Sequence, residues 1–366
     1  MPDYAGRIAR LQSLLRDSGL GGAVVAPTDH MRYLTGWAEP GYERLIALFV
    51  PIAGELAFVA PDMNVEQARS NPAGVADVRG WSDASGWTAI AARAMGDLGF
   101  GGTIAVDDEL PAAHLLGLQA IDATARWQTL SPILAQLRQI KDADELDAMR
   151  RSARVADSAY EAILPSLRPG VTEVQVRSEL GRYFEASGAR TWFGLVCFGR
   201  NSALPHHSSG ATALRPGDVV VLDLGCVLDD YASDITRTVA VGEPGPGARR
   251  VYEIVLQAHR AARAAARPGA ACQDVDRAAR AVISDAGYGE CFVHRTGHGI
   301  GVSCHEPPYI VEGNRQILQP GMCFSDEPGI YLPGRYGVRI ESILFVTESG
   351  AETLNAAPPE HLLVLG

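Results

Sequence analysis

No stretch of about 18 or more apolar residues occurs in this 366-residue chain, which argues against a membrane-spanning helix. Its first residues, Met1-Pro-Asp-Tyr-Ala-Gly-Arg, lack the basic region and apolar stretch of a secretory signal. The six cysteines (Cys197, Cys226, Cys272, Cys291, Cys304 and Cys323) include no C-x-x-C pair. Their scatter predicts reduced thiols in small buried positions, not a disulfide framework or a zinc–thiolate site. Positive charge is scarce as well: a net charge of −11 leaves little basic surface for a phosphate backbone and argues against a nucleic-acid partner. A cytoplasmic globular protein without membrane or nucleic-acid partners is expected.

Apolar residues make up 47% of the chain, ample for sizeable cores, and the length suggests two domains. Ile8, Leu11, Leu14 and Leu15 share one helical face before Gly19. Gly22–Ala26 reads as a short buried strand, residues 45–52 and 55–60 as a hairpin, and Gly102–Val106 as another strand. Residues 1–130 are therefore expected to form an α/β domain, 131–141 a linker, and 142–366 a second domain. There a long helix starts near Ala143, and Thr172 with Gln175 has the spacing of a capping box. Two further helices are expected near 249–267 and 273–286, stopped by Pro268-Gly269 and Gly287. Two helices then an acidic hairpin, twice over, suggests an internal duplication of helices over an antiparallel sheet, the α+β class.

The acidic hairpins carry the chemistry. Asp223 lies in Gly217-Asp-Val-Val-Val-Leu-Asp-Leu-Gly225, a run so apolar that both strand faces should be buried, where an uncompensated carboxylate is costly. Asp234 follows in Tyr231-Ala-Ser-Asp-Ile-Thr-Arg-Thr-Val239, with Asp229-Asp230 as turn residues between the runs. Folding about Leu228 and Asp229 puts the two acids directly opposite each other, where like charges repel unless a cation bridges them. Glu327 in Phe324-Ser-Asp-Glu-Pro-Gly-Ile-Tyr331 and Glu341 in Gly337-Val-Arg-Ile-Glu-Ser-Ile-Leu344 repeat the construction about Gly334. Between the hairpins stands His298, in His294-Arg-Thr-Gly-His-Gly-Ile-Gly301, flanked by glycines that let the backbone pass close to its neighbours. Four carboxylates balance two divalent cations. The oxygen-rich set with one imidazole suits Mn²⁺, while affinity order favours Zn²⁺ or Co²⁺.

These motifs resemble those of the metallopeptidases that include prolidase, aminopeptidase P and methionine aminopeptidase. Their order is Asp-Leu-Gly at Asp223, Ser-Asp-Ile-Thr-Arg-Thr at Asp234, Gly-His-Gly-Ile-Gly at His298, Glu-Pro-Gly-Ile-Tyr at Glu327 and Val-Arg-Ile-Glu at Glu341. The resemblance implies a pita-bread catalytic domain preceded by a creatinase-type domain, to which Tyr33-Leu-Thr-Gly36 is similar. A two-domain chain resembles the proline-directed branch, which acts on small peptides. By resemblance Glu327 is also the general base, and His206 and His305 face the substrate and steady the oxyanion. His294 approaches the peptide carbonyl or carboxylate, and the enzyme is a homodimer. Arg339, two residues before Glu341, shares its strand face and is expected to hold that glutamate or the substrate.

An Xaa-Pro dipeptidase is slightly preferred over an aminopeptidase P, with Arg315 in a plausible region for gripping a terminal carboxylate. A non-peptide C–N hydrolase or lyase on the same fold is the other alternative, and a non-catalytic binding module is disfavoured by the intact ligand set. His207 is expected to neighbour the functional residue, and His30, His114, His259 and His361 to be structural or solvated. Arg237 is expected to form a structural ion pair.

Overall fold

The computed structural model describes residues 2–366, and the chain divides into two compact units between Arg138 and Gln139. The first unit holds strands β1 (Gly22–Val25), β2 (Ala47–Val50), β3 (Ala57–Pro61), β4 (Asp77–Trp81), β5 (Thr103–Val106) and β6 (Arg126–Thr129), in the order β4-β3-β2-β1-β5-β6. Strands β1, β5 and β6 run parallel, and β2 is antiparallel to both of its neighbours. The helices are α1 (Tyr4–Asp17), α2 (Asp29–Thr35), α3 (Val65–Arg69), α4 (Thr88–Asp97), α5 (Ala112–Ile121) and α6 (Ser131–Arg138). Asp3 caps α1 by accepting from the Gly6 N–H, and Leu11 and Leu15 are fully buried on its inner face. Helices α4 and α5 press Ala91, Met95 and Leu118 against Val24, Phe49 and Ile104 of the sheet. Within the segment 131–141, α6 buries Ile133, Leu134 and Leu137, an amphipathic face that a bare connection would leave in water.

The second unit begins with α7 (Ala143–Ile163) and α8 (Glu173–Ala186), each opened by a capping box: Asp142 with Glu145, and Thr172 with Gln175. Strands β7 (Arg190–Phe198), β8 (Val219–Leu228), β9 (Tyr231–Ala232) and β10 (Ile235–Val241) follow, then α9 (Ala248–Ala265) and α10 (Cys272–Asp285). The chain continues with β11 (Gly297–Gly299), β12 (Glu306–Ile310), β13 (Cys323–Asp326), β14 (Gly329–Leu332), β15 (Tyr336–Arg339), β16 (Ser342–Val346), β17 (Ala351–Thr353) and β18 (Leu363–Leu365). One sheet has the order β18-β10-β8-β7, the other β12-β11-β13-β16-β17, and β14 pairs only with β15.

Each sheet has its own core. Tyr160, Ile163, Leu180 and Phe184 of α7 and α8 pack on Phe198, Val220, Leu222 and Leu224. Val251, Val255, Val275 and Ile283 of α9 and α10 pack with Ile310, Phe324 and Leu344. The unit thus contains two helix-pair-on-sheet layers, the duplicated arrangement expected of a pita-bread domain.

The first hairpin turns one residue later than expected. Leu228 pairs with Tyr231, so Asp229 and Asp230 alone form the turn, both with positive φ (51° and 66°). This is the backbone of a two-residue hairpin turn, whose twist matches the strands. The register consequently slips by two, and Thr236, not Asp234, lies opposite Asp223. A slip of two preserves the face, so Asp234 still projects to the same side on the diagonal. In the second hairpin Gly329 pairs with Arg339 and Leu332 with Tyr336, folding about Gly334 at φ 73°. The same register continues on the far side, where Asp326 pairs with Ser342, so Glu327 and Glu341 occupy the gap between two ladders.

Candidate active site

Alternation along β8 sets the first ligand-type side chain. Leu222 and Leu224 point into the helix-covered core, which turns Asp223 to the opposite face, level with Leu195 on β7 and Thr236 on β10. In the second sheet, glycine is required beside His298 for packing. A Cβ on Gly297 would overlap the Ser325 carbonyl, and one on Gly299 the carbonyls of Glu306 and Pro307. The gap between the ladders has a cause in main-chain bonding: the Glu327 N–H donates to the Thr296 carbonyl at 2.8 Å and the Glu341 N–H to the Thr236 carbonyl at 3.0 Å. The two strands part to reach different neighbours, and both glutamates are left facing one cavity.

That cavity has a volume of about 610 Å³, within the range usual for small-ligand sites. Asp223, Asp234, His298, Glu327 and Glu341 all line it, as do His206, His294, His305 and Arg339. Three overlapping sets have donor atoms within 4.8 Å of one another: Asp223, Asp234 and Glu341; Asp234, His298 and His305; and His298, Glu327 and Glu341. Sequence reasoning did not anticipate His305 in such a set. Its ring lies against that of His298, with centroids 3.9 Å apart and planes tilted by 51°.

Hydrogen bonds fix the cluster from behind. The Thr236 hydroxyl stands 2.9 Å from Asp223 Oδ1 and 2.6 Å from Glu341 Oε2. Arg339 engages all its nitrogens: Nη2 bonds Asp223 Oδ2, Nε donates to Thr236 Oγ1 at 3.1 Å, and Nη1 to the Tyr331 hydroxyl at 2.7 Å. The guanidinium therefore holds Asp223, not Glu341, reaching from β15 to Thr236 on β10 and Asp223 on β8. His294 places Nε2 2.8 Å from the same Tyr331 hydroxyl and Nδ1 2.7 Å from the Arg295 carbonyl. Ser325 Oγ accepts from the His298 N–H at 3.0 Å and donates to Glu327 Oε1 at 3.2 Å.

The electrostatics suit a bound cation. Burial pushes Asp234 and Glu341 far above the usual carboxylate range, and the neighbouring carboxylates push further. Burial raises Glu327 to about 7, with Arg339 opposing and Asp223 adding to the rise. Burial, then His305, lowers His298 to about 3, so its imidazole is neutral. With Nδ1 3.1 Å from the Gly299 carbonyl, which can only accept, the proton sits on Nδ1. Its Nε2 lone pair then points at Glu327 Oε1 (3.4 Å) and Asp234 Oδ2 (3.8 Å), acceptors facing acceptors. Asp234 Oδ1 and Glu341 Oε1 are buried with no hydrogen-bond partner. Lone pairs that converge without donors fit bound divalent cations, and the orienting bond on the far side of His298 is the kind metal-binding imidazoles make.

Thr236 and Tyr331 were missed, although reading Asp229-Asp230 as the whole turn would have placed Thr236 beside Asp223. Arg315 does not line the cavity. Arg237 bonds the main-chain carbonyls of Thr236, Glu341 and Ala356 instead of the expected carboxylate, tying together the main chain where β10 meets the Glu341 segment. Among the remaining histidines, His207 bonds Glu173 and His30 bonds Asp107. His114 and His259 are buried and His361 is exposed.

Residues 147–348 match metallopeptidase family M24, and residues 7–140 match the creatinase/prolidase N-terminal domain. The probable dipeptidase PepE of Mycobacterium tuberculosis (strain ATCC 25618 / H37Rv) is 40% identical, covering 99% of this chain and 96% of its own. The Xaa-Pro dipeptidase of Lactobacillus delbrueckii subsp. lactis is 38% identical, over 93% and 94% of the two chains. The crystal structure of a recombinant prolidase from Thermococcus sibiricus, 36% identical, superposes with a TM-score of 0.95 and covers 100% of both chains.

Proposed function

Because the chain belongs to metallopeptidase family M24 and carries a creatinase/prolidase N-terminal domain, we propose that it cleaves the bond between an N-terminal residue and proline, as an Xaa-Pro dipeptidase. The supporting observation is the convergence of Asp223, Asp234, His298, Glu327 and Glu341 with two orphaned carboxylate oxygens among them. In this reading those five side chains hold two divalent ions, Mn²⁺ in the first place, with Co²⁺ or Zn²⁺ as alternatives. Such ions, when bound, supply a Lewis acid and lower the pKa of water.

Glu327 takes the proton of the attacking water and delivers it to the departing imino nitrogen. His206 and His305 donate to the oxygen on which negative charge develops, an interaction whose loss typically costs about 100-fold to 1,000-fold in turnover. His294 reaches the peptide carbonyl or carboxylate by exchanging one of its two present partners, the Tyr331 hydroxyl or the Arg295 carbonyl. Arg339 keeps Asp223 aimed into the cavity. Trp192, Phe193, Leu195 and Pro205 give the cavity an apolar wall that accepts the uncharged proline ring and keeps water away. A homodimer in the cytoplasm completes the proposal, on family resemblance alone.

The test is to strip the protein of metal, reload it with Mn²⁺, Co²⁺ or Zn²⁺, and compare Ala-Pro, Leu-Pro, Ala-Pro-Pro, Ala-Ala and creatine. Hydrolysis restricted to Ala-Pro and Leu-Pro is expected. Cleavage of Ala-Pro-Pro would replace the dipeptidase with an aminopeptidase P, and silence toward every proline peptide would overturn the proposal in favour of a non-peptide substrate.

A further inference from the structure

Glu173 opens α8, and its side chain is wholly buried although it touches neither the cavity nor any of the acidic cluster. Its carboxylate is saturated. Oε1 accepts from the Phe198 N–H at 2.9 Å and the Asn201 amide at 2.8 Å, while Oε2 accepts from the Gly210 N–H at 2.9 Å and lies 2.9 Å from His207 Nε2. An ionised carboxylate offers about four lone-pair sites, and all are used. Burial raises the pKa of this group, but the four hydrogen bonds outweigh burial and hold it below the usual carboxylate range.

The four donors come from successive points on a single excursion of the chain. Phe198 ends β7, Asn201 lies in the 3-10 turn Gly199–Ala203, His207 follows the tip, and Gly210 marks the exit. Only the stretch between the second and third of these anchors, with Pro205 and His206, reaches the cavity wall. Two internal bonds, from the Leu204 N–H to the Asn201 carbonyl and from the His207 N–H to the Leu204 carbonyl, at 3.1 Å each, coil that tip between its anchors. Ser209 Oγ also bonds the Val196 main chain, and Ser202 Oγ accepts from the Gly337 N–H at 2.9 Å, but both lie outside the tip at 204–207. One buried anion gathers the loop into a closed ring.

We infer that Glu173 is the positioning residue for His206: its carboxylate is the hub that holds the loop so that the imidazole faces the scissile carbonyl. The inference rests on the proposed role of His206 and deepens it. In Glu173→Gln one acceptor becomes a donor aimed at other donors, so at least one anchor is lost and the tip is released. Misplacement of a group at the reacting atoms by about 1 Å can cost about 100-fold.

A double-mutant cycle with Ala-Pro separates positioning from general support. Glu173→Gln is expected to lower kcat about 10- to 100-fold, with metal stoichiometry unchanged and KM little altered. In a His206→Ala background the same change should add no more than about twofold, the scatter expected when the shared partner is already gone. An equal loss in both backgrounds overturns the inference, because Glu173 would then act on the fold at large. His207→Leu, which deletes one donor and keeps the charge, enters the same cycle with a smaller expected loss and covers the case in which Glu173→Gln folds poorly.

Hydrogen exchange gives an arm independent of substrate. The amides of residues 198–210 should lose protection in Glu173→Gln while those of β8 keep theirs, and unchanged protection of the loop refutes the clamp whatever the enzyme cleaves. If the unmodified protein hydrolyses no proline peptide but the loop does loosen, the fault lies with the proposed reaction and not with the clamp.

Discussion

A single hydroxyl bridges the two sheets of the candidate active site. Thr236 touches both Asp223 and Glu341 and accepts from Arg339, so three charged groups depend on it for orientation. Thr236→Val removes the oxygen while keeping the shape, and neighbours of this kind typically contribute about 10- to 100-fold to metal affinity. Competition against a chelator should show a loss of that size, and unchanged affinity would mean that Thr236 merely fills space. The sequence made the four carboxylates and His298 legible, the acids because a carboxylate in an apolar strand is costly and must be explained, the histidine because glycines flank it on both sides. It did not make Thr236 or Tyr331 legible, because hydroxyls are ordinary in strands and their importance lies in what stands across from them. Arg339 was recognised and its partner misjudged for the same reason: spacing along one strand placed it near Glu341, while pairing between strands delivered it to Asp223.

At the scale of elements, turn chemistry decided where the sequence reading held. Gly334 marks the second turn plainly, and the pairing read about it extends through both ladders that flank Glu327 and Glu341. At Asp229-Asp230 two acidic residues adopt the left-handed backbone usually given to Asn-Gly, so the loop was read one residue too early and the pairing two residues out. The period of two in a strand kept the functional face correct all the same. Left-handed backbone disfavours side chains branched at Cβ by about 1–2 kcal/mol. Asp230→Val should therefore be less stable than Asp230→Gly by about that amount in denaturant titrations, and equal stabilities would contradict the turn geometry. Capping boxes at Asp142 and Thr172 fixed the starts of α7 and α8, of which the Thr172 pattern was visible in the sequence.

For the whole molecule, every residue assigned to the proposed metal centre belongs to the second unit, and the first has its own sheet and core. Units with separate cores can unfold in separate transitions. Calorimetry should then show Mn²⁺ raising the transition of the second unit, by about 2.7 kcal/mol per bound ion at a hundredfold excess over Kd, without moving that of the first. Movement of both transitions together would mean that the chain melts as one body. The alternation of helices and strands in the first unit and the repeated helix pairs in the second were legible from periodicity. The parallel pairing of β18 with β10 was not, since three residues near the chain end carry no pattern that names a distant partner.

The gap between the two ladders also bears on how the protein comes to be assembled. Glu327 and Glu341 face the cavity only after β13 and β16 have paired with each other and their neighbours have captured the diverging main chain. Asp223 is presented by a different sheet, whose last strand, β18, comes from the end of the chain. On the proposed reading the full ligand set therefore exists only in the finished fold. Ions would then enter a completed mould, and the supply of metal and access through the mouth of the cavity would govern which one is carried.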